Sequence, residues 1–78
     1  MNELEKTEKV RQEVRDKYVR GSLHNRRELL NEMQDIYNSN GFQRKVKTSD
    51  LELMGIRWKA TTAKDRQGKT INLVKILT

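Results

Sequence analysis

The chain has 78 residues, of which 33% are hydrophobic and 36% are charged, and it contains no cysteine. This length allows one domain with one small core, and a chain this polar is near the lower limit for folding alone. Without cysteine, disulfides and thiolate metal sites are excluded, and a reducing compartment is natural. The net charge of +6 comes entirely from residues 42–78, because residues 1–41 carry equal numbers of cations and anions. One basic half predicts a surface for polyanions.

Membrane and export signals are missing from the sequence pattern. No apolar run approaches membrane-spanning length, and the first residues lack the apolar segment of a signal peptide. We therefore expect a cytoplasmic protein without membrane association, built as a single domain over residues 1–78.

Helix 1 is predicted over residues 3–19. Leu4, Val10, Val14 and Tyr18 follow one another at helical spacing and build one narrow apolar stripe. Gly21 follows the helix and is able to adopt the left-handed conformation that often ends one. Because the stripe extends beyond what a small core can cover, helix 1 is the expected surface of a homodimer.

Helix 2 is predicted over residues 26–38. Asn25 is the predicted N-cap, and Glu28 three residues later would complete a variant of the capping box. A broad apolar face follows, and Gly41 ends the helix. That face consists of Leu29, Leu30, Met33, Ile36 and Tyr37. His24, the only histidine, precedes the cap and is interpreted as a surface or packing residue, because no second metal-ligand type is grouped near it.

A basic turn separates helix 2 from helix 3. Phe42 and Val46 are expected to point into the core and to anchor the turn. The cations of the turn are expected to point outward, and they are Arg44, Lys45 and Lys47.

Helix 3 is predicted over residues 49–55. It would begin with a Ser-x-x-Glu capping box at Ser49, or with one shifted to Thr48. Leu51 and Met54 take its buried positions, and Leu53 or Ile56 completes the packing. Gly55 would stop the helix after about two turns.

A β-hairpin is predicted over residues 57–77. Trp58, Ala60 and Thr62 alternate with Arg57, Lys59 and Thr61, and the β-branched residues favour extended structure. Asp65-Arg66-Gln67-Gly68 is a loop signal in which Gly68 is able to take a positive φ. The fold class is therefore α+β. Three helices followed by a two-stranded β-hairpin wing is the order of a winged helix-turn-helix.

Over roughly residues 9–77, the chain resembles the N-terminal DNA-binding domain of the bacterial arginine repressor. Arg27-Glu28-Leu29-Leu30 and Asn40-Gly41-Phe42 stand in matching places, and Thr48-Ser49-Asp50-Leu51 falls where that family begins its recognition helix. The arginine of the family's Ser-Arg-Asp motif is missing here, and the C-terminal arginine-binding domain of the family has no counterpart. The resemblance implies winged-helix binding of DNA and does not imply arginine sensing.

Under this hypothesis the partner is double-stranded DNA, and the basic residues have separate tasks. Helix 3 would present its N-terminal end to base edges in the major groove, and the hairpin tip would lie against the backbone or in the minor groove. Asp50 and Glu52 are interpreted as stabilisers of the helix N-terminus. The predicted DNA-binding residues are Arg44, Lys45, Lys47, Thr48, Ser49, Arg57, Lys59, Lys64, Arg66 and Lys69.

Catalysis is not predicted, because the sequence has no cysteine nucleophile, no glycine-rich phosphate loop and no spaced set of metal ligands. No cofactor or small-molecule ligand is expected. The protein would act as a transcriptional regulator or as an accessory factor of a DNA-processing complex. Two other hypotheses use the same charge asymmetry: an RNA-binding protein, and an adaptor that binds an acidic protein partner through the basic hairpin.

Overall fold

The computed structural model describes residues 2–78. Its elements, in chain order, are α1 (Glu3–Lys17), β1 (Leu23–Asn25), α2 (Arg26–Ser39), α3 (Asp50–Leu53), β2 (Trp58–Lys64) and β3 (Thr70–Ile76). The α+β class is confirmed. The predicted two-stranded sheet is wrong in strand number, because β1 joins the hairpin in a three-stranded antiparallel sheet of order β1-β3-β2.

Helix α1 begins with a side-chain cap, since the amide oxygen of Asn2 accepts a hydrogen bond from Glu5 N at 2.8 Å. It ends at Lys17, two residues before the predicted end. The stripe is buried at Val10 and Val14, whereas Leu4 is 71% exposed. The apolar stripe therefore does extend beyond the core at its N-terminal end.

Strand β1 was not predicted, because three residues are too few to show an alternating pattern. It exists through pairing with β3, in the register Leu23↔Lys75, His24↔Val74 and Asn25↔Leu73. The ladder continues into the preceding turn, where Gly21 N donates to Ile76 O and Ile76 N donates to Ser22 O. Gly21 has φ +84° there, a conformation that favours glycine.

Helix α2 has the predicted cap: the side chain of Asn25 accepts from Glu28 N at 3.2 Å. Its apolar face buries Leu29, Met33 and Tyr37. At its end, Gly41 N bonds to Asn38 O and Phe42 N bonds to Tyr37 O, which is the Schellman pattern. The helix therefore begins and ends on local signals that the sequence already contains.

The core lies between the two long helices and one face of the sheet. Tyr18 closes it at one end, where its hydroxyl hydrogen-bonds to Leu29 O at 3.3 Å and to the Glu32 carboxylate at 3.1 Å. Burial, and next the negative charge of Glu32, raise the pKa of Tyr18 well above its ordinary value. The sheet contributes Val74 and Ile76, which are both fully buried. The tyrosine thereby joins α1 to α2 by hydrogen bonds as well as by packing.

No helix within residues 2–78 has both the length and the apolar character needed to cross a bilayer.

Candidate nucleic-acid interface

The hairpin tip is a hydrogen-bonded loop built around Asp65. Asp65 N donates to Lys69 O, and Asp65 O accepts from Gly68 N. The Asp65 carboxylate accepts from Gln67 N at 2.8 Å and from Lys69 N at 2.9 Å. Gly68 has φ +79°, as predicted. This is a type I turn followed by a glycine bulge, a common three-residue hairpin connection. The one carboxylate of the tip is therefore occupied by backbone N–H groups.

The cations of the tip are exposed. Lys64, Arg66 and Lys69, which we call the tip cations, make no ion pair within the described chain. Lys64 ends β2 and is the direct cross-strand partner of Thr70. An exposed charged group without an ion pair is free to meet a phosphate, and the contact of the tip with DNA stays a prediction.

The strand register decides which face of the hairpin each predicted residue lies on. Trp58, Ala60 and Thr62 pair with Ile76, Val74 and Asn72 on the face that meets the helices. Lys59 pairs directly with Lys75 on the outer face, and both are exposed. Arg57 is exposed just before β2, where its backbone bonds to Leu77 and Thr78. A surface that contacts the tip and the helical face would thus leave Lys59 pointing away.

Helix α3 differs most from its prediction. It is a single turn of four residues, and the side chain of Ser49 makes no capping hydrogen bond within residues 2–78. Thr48 is buried instead of facing outward, and the exposed residues of the turn are Glu52 and Leu53. Ile56, not Leu53, completes the packing with Leu51 and Met54. The prediction of a two-turn helix with Thr48 at an open N-terminal end is therefore wrong.

The physical reason is the side chain of Asp50, which turns inward. Its carboxylate is 8% exposed and accepts from Arg44 Nη2 at 2.9 Å and from Lys47 N at 3.2 Å. The aspartate thus closes the preceding turn, while Gly55 with φ +78° ends the helix in a Schellman pattern. Only one helical turn fits between these two constraints.

Arg44 is part of the same arrangement. Its side chain is 56% exposed, but its guanidinium is paired with Asp50 and lies 5.7 Å from the centre of the Tyr37 ring. Burial is the main reason that the pKa of Tyr37 is raised. Arg44 was predicted to neutralise a phosphate, and here its charge is already balanced by a carboxylate. Lys45 and Lys47 are exposed, as predicted, without an ion pair in the described residues.

Gln34 fixes the position of Lys45. The Gln34 side chain donates to Arg44 O at 3.0 Å and accepts from Val46 N at 3.0 Å, so it bonds the backbone on both sides of the lysine. Val46 is buried as predicted, and Phe42 is partly buried against the core. The turn is therefore anchored at α2, with Lys45 at its surface.

A cleft of about 600 Å³ opens between this turn, the N-terminal half of α2 and the hairpin. We call it the α2 cleft. It has three cations and no carboxylate among the described residues that line it, and it also carries four side-chain amides. The lining residues are Asn25, Arg26, Arg27, Leu30, Asn31, Gln34, Lys45, Val46, Thr70, Ile71 and Asn72.

The α2 cleft continues along the hairpin. Arg26 and Asn72 also line a second hollow of about 380 Å³, together with Trp58, Ala60 and Thr62. The indole N–H of Trp58 is buried without a hydrogen-bond partner in residues 2–78. The helical face of the hairpin and the start of α2 thus form one concave surface, which ends near the tip cations.

Arg26 and Arg27 are the cations of the cleft that the sequence did not identify as binding residues. They lie in residues 1–41, whose cations and anions are equal in number, so the distribution of net charge did not point to them. Two adjacent arginines directly after a helix cap were the available signal. What could not be read from the sequence is that the fold brings them next to Lys45 and β3.

No group of three or more potential metal ligands occurs among residues 2–78. His24 is held by Ser22 Oγ at 2.8 Å and by an edge-to-face contact with Tyr18, with ring centres 4.9 Å apart. The histidine therefore has a packing role, in agreement with its interpretation from the sequence.

In comparisons with known proteins, no family model, curated protein or solved structure matches the chain.

Proposed function

We propose that this protein binds double-stranded DNA through the α2 cleft and the tip cations. The α2 cleft carries the proposal, because it brings Arg26, Arg27 and Lys45 together with no opposing carboxylate among its described lining residues. Such a surface attracts a polyanion, and phosphate neutralisation by lysine and arginine supplies most of the affinity of non-specific DNA binding.

The tip extends this surface. Thr70 lines the cleft. Lys64 is its partner on the neighbouring strand, and Lys69 directly precedes Thr70 in the chain. A duplex whose backbone lies along the cleft would therefore meet the tip cations at one end. The hydrogen-bonded loop at Asp65 supports this role, since a preorganised contact loses less conformational entropy on binding.

The order of elements supports a winged-helix assignment in part. Three helices are followed by a hairpin whose tip is basic, which is the arrangement predicted from the sequence. The resemblance to the DNA-binding domain of the bacterial arginine repressor remains a prediction. The cytoplasmic location and the role as a transcriptional regulator or accessory factor also remain predictions. The homodimer through α1 remains a prediction too, and Leu4 is the exposed apolar residue of that helix.

The test is fluorescence anisotropy of a labelled random-sequence duplex over a range of salt concentrations, with a matched RNA duplex alongside. We expect saturable DNA binding that weakens steeply with salt. Replacing all three tip cations by alanine should flatten the slope of log affinity against log salt by about 2 to 3, since each phosphate contact contributes about 0.9.

The matched control is Arg15→Ala, which removes one exposed cation from α1. It should leave affinity and slope nearly unchanged. Tighter binding of the RNA duplex would replace DNA by RNA as the partner. Absence of saturable binding to either at low salt would overturn the proposal and favour an acidic protein as the partner.

A further inference from the structure

Helix α3 has few side chains that could hydrogen-bond to the edge of a base. It is one turn long, Asp50 is occupied by Arg44 and Lys47, and its exposed side chains are a carboxylate, Glu52, and an apolar group, Leu53. Base edges in the major groove are read most often by arginine on guanine and by asparagine or glutamine on adenine. If a helix recognises bases in the major groove, it therefore has to be a helix other than α3.

Helix α2 carries those two residue types on the wall of the cleft. Arg27 and Asn31 are four residues apart, so they lie on the same side of the helix. Both are exposed, both line the α2 cleft, and neither side chain makes a hydrogen bond or ion pair within residues 2–78. Gln34, one turn further on, differs because its amide is already hydrogen-bonded, to the backbone of the turn and to Asn38.

A carboxylate limits how much of α2 can face DNA. Asp35 follows Asn31 by four residues and is exposed. A carboxylate on the cleft side of the helix repels phosphates, so the N-terminal half of that side is the part that can face DNA. The exposed carboxylate of that half, Glu28, is not among the residues that line the cleft. The N-terminal residues of a helix are also those that contact bases when a helix enters the major groove.

We infer that Arg27 and Asn31 are the specificity-determining residues of this protein, and that they read a guanine and an adenine in duplex DNA from α2 instead of α3. The inference rests on the proposed function. It also predicts the spacing of the two bases. Residues four apart are separated by about 6 Å along a helix, and base pairs are about 3.4 Å apart. The guanine and the adenine should lie within about two base pairs of each other.

The experiment is selection of bound sequences from a random duplex library, followed by affinity measurements on the selected site. We expect a preferred site that contains the guanine and the adenine at that spacing. Arg27→Lys keeps the charge but loses the planar fork that bonds guanine through two groups. It should lower discrimination at the guanine by roughly tenfold while the salt slope is unchanged.

Asn31→Ala should likewise lower discrimination at the adenine by roughly tenfold without changing the slope. Lys64→Ala is the contrasting control, because it should weaken binding to all duplexes and leave base preference intact. Circular dichroism melting of each variant separates a lost contact from a loss of folding.

The outcomes distinguish this inference from the proposed function. Salt-dependent DNA binding without any base preference would overturn the inference and leave the function standing. So would a selected site whose preferences survive both Arg27→Lys and Asn31→Ala. Absence of DNA binding by the unaltered protein would overturn both.

Discussion

The hairpin tip and the turn before α3 are both basic, yet their arginines have different surroundings. At the tip, the carboxylate of Asp65 accepts from backbone N–H groups, and Arg66 is left unpaired within the described chain. In the turn, the carboxylate of Asp50 is buried and pairs with Arg44. The difference lies in the direction of one aspartate side chain. In this molecule a basic segment keeps its arginine free of an ion pair where its aspartate is occupied by the backbone.

The largest effect should come from removing the buried carboxylate. Asp50→Ala deletes both the ion pair with Arg44 and the bond from Lys47 N, and it should lower the free energy of unfolding by about 1.5 to 3 kcal/mol. Urea denaturation measures this change. The matched control is Glu52→Ala, two residues away and exposed, which should change stability by less than about 0.5 kcal/mol. Equal losses for the two variants would contradict the structural role of Asp50.

An intermediate effect should separate the two arginines directly. Arg44→Ala leaves Asp50 without its cation and should lower the unfolding free energy by about 1 to 2 kcal/mol, less than for a fully buried pair because Arg44 is half exposed. Arg66→Ala should leave stability unchanged and lower the salt slope of DNA binding by about 0.9. The two variants are compared by melting and by anisotropy. If Arg44→Ala also lowered the salt slope by that amount, the distinction between the regions would fail.

The smallest effect should come from neutralising the tip carboxylate. Asp65→Asn keeps an oxygen that accepts from Gln67 N and Lys69 N but removes the negative charge. DNA affinity should rise roughly threefold, the factor for about 0.7 kcal/mol between unit charges 6 Å apart in water. Anisotropy at low salt measures this rise. Asp16→Asn on α1 is the control for a general change in net charge, and a similar rise there would mean that the tip has no special contact with DNA.

The sequence predicts the elements that depend on local signals. Periodicity located α1, α2 and the hairpin, and the cap at Asn25 and the positive φ of Gly68 followed from residue type. Strand β1 was missed because its three residues become a strand only through pairing with β3. The length of α3 was overestimated because the inward turn of Asp50 depends on Arg44 being close in space.

The candidate site was predictable to a similar degree. The tip cations follow from a loop signal and local charge, and both were visible in the chain. The α2 cleft was not, because it joins the start of α2, a turn and the third strand, which are far apart in sequence. Arg26 and Arg27 acquire their place through that packing alone, whereas the predicted residue Lys59 is directed away from it by the strand register.

The pairing of β1 with β3 has a consequence for how the protein is made. Residues 23–25 bond to residues 73–75, and the fully buried Val74 and Ile76 belong to the same late strand. Early helices emerging from the ribosome therefore lack the sheet that covers their apolar faces until β3 has been synthesised. Contacts between residues so distant in sequence slow folding relative to a purely helical domain. We expect the core to close in one cooperative step, after translation has passed Ile76.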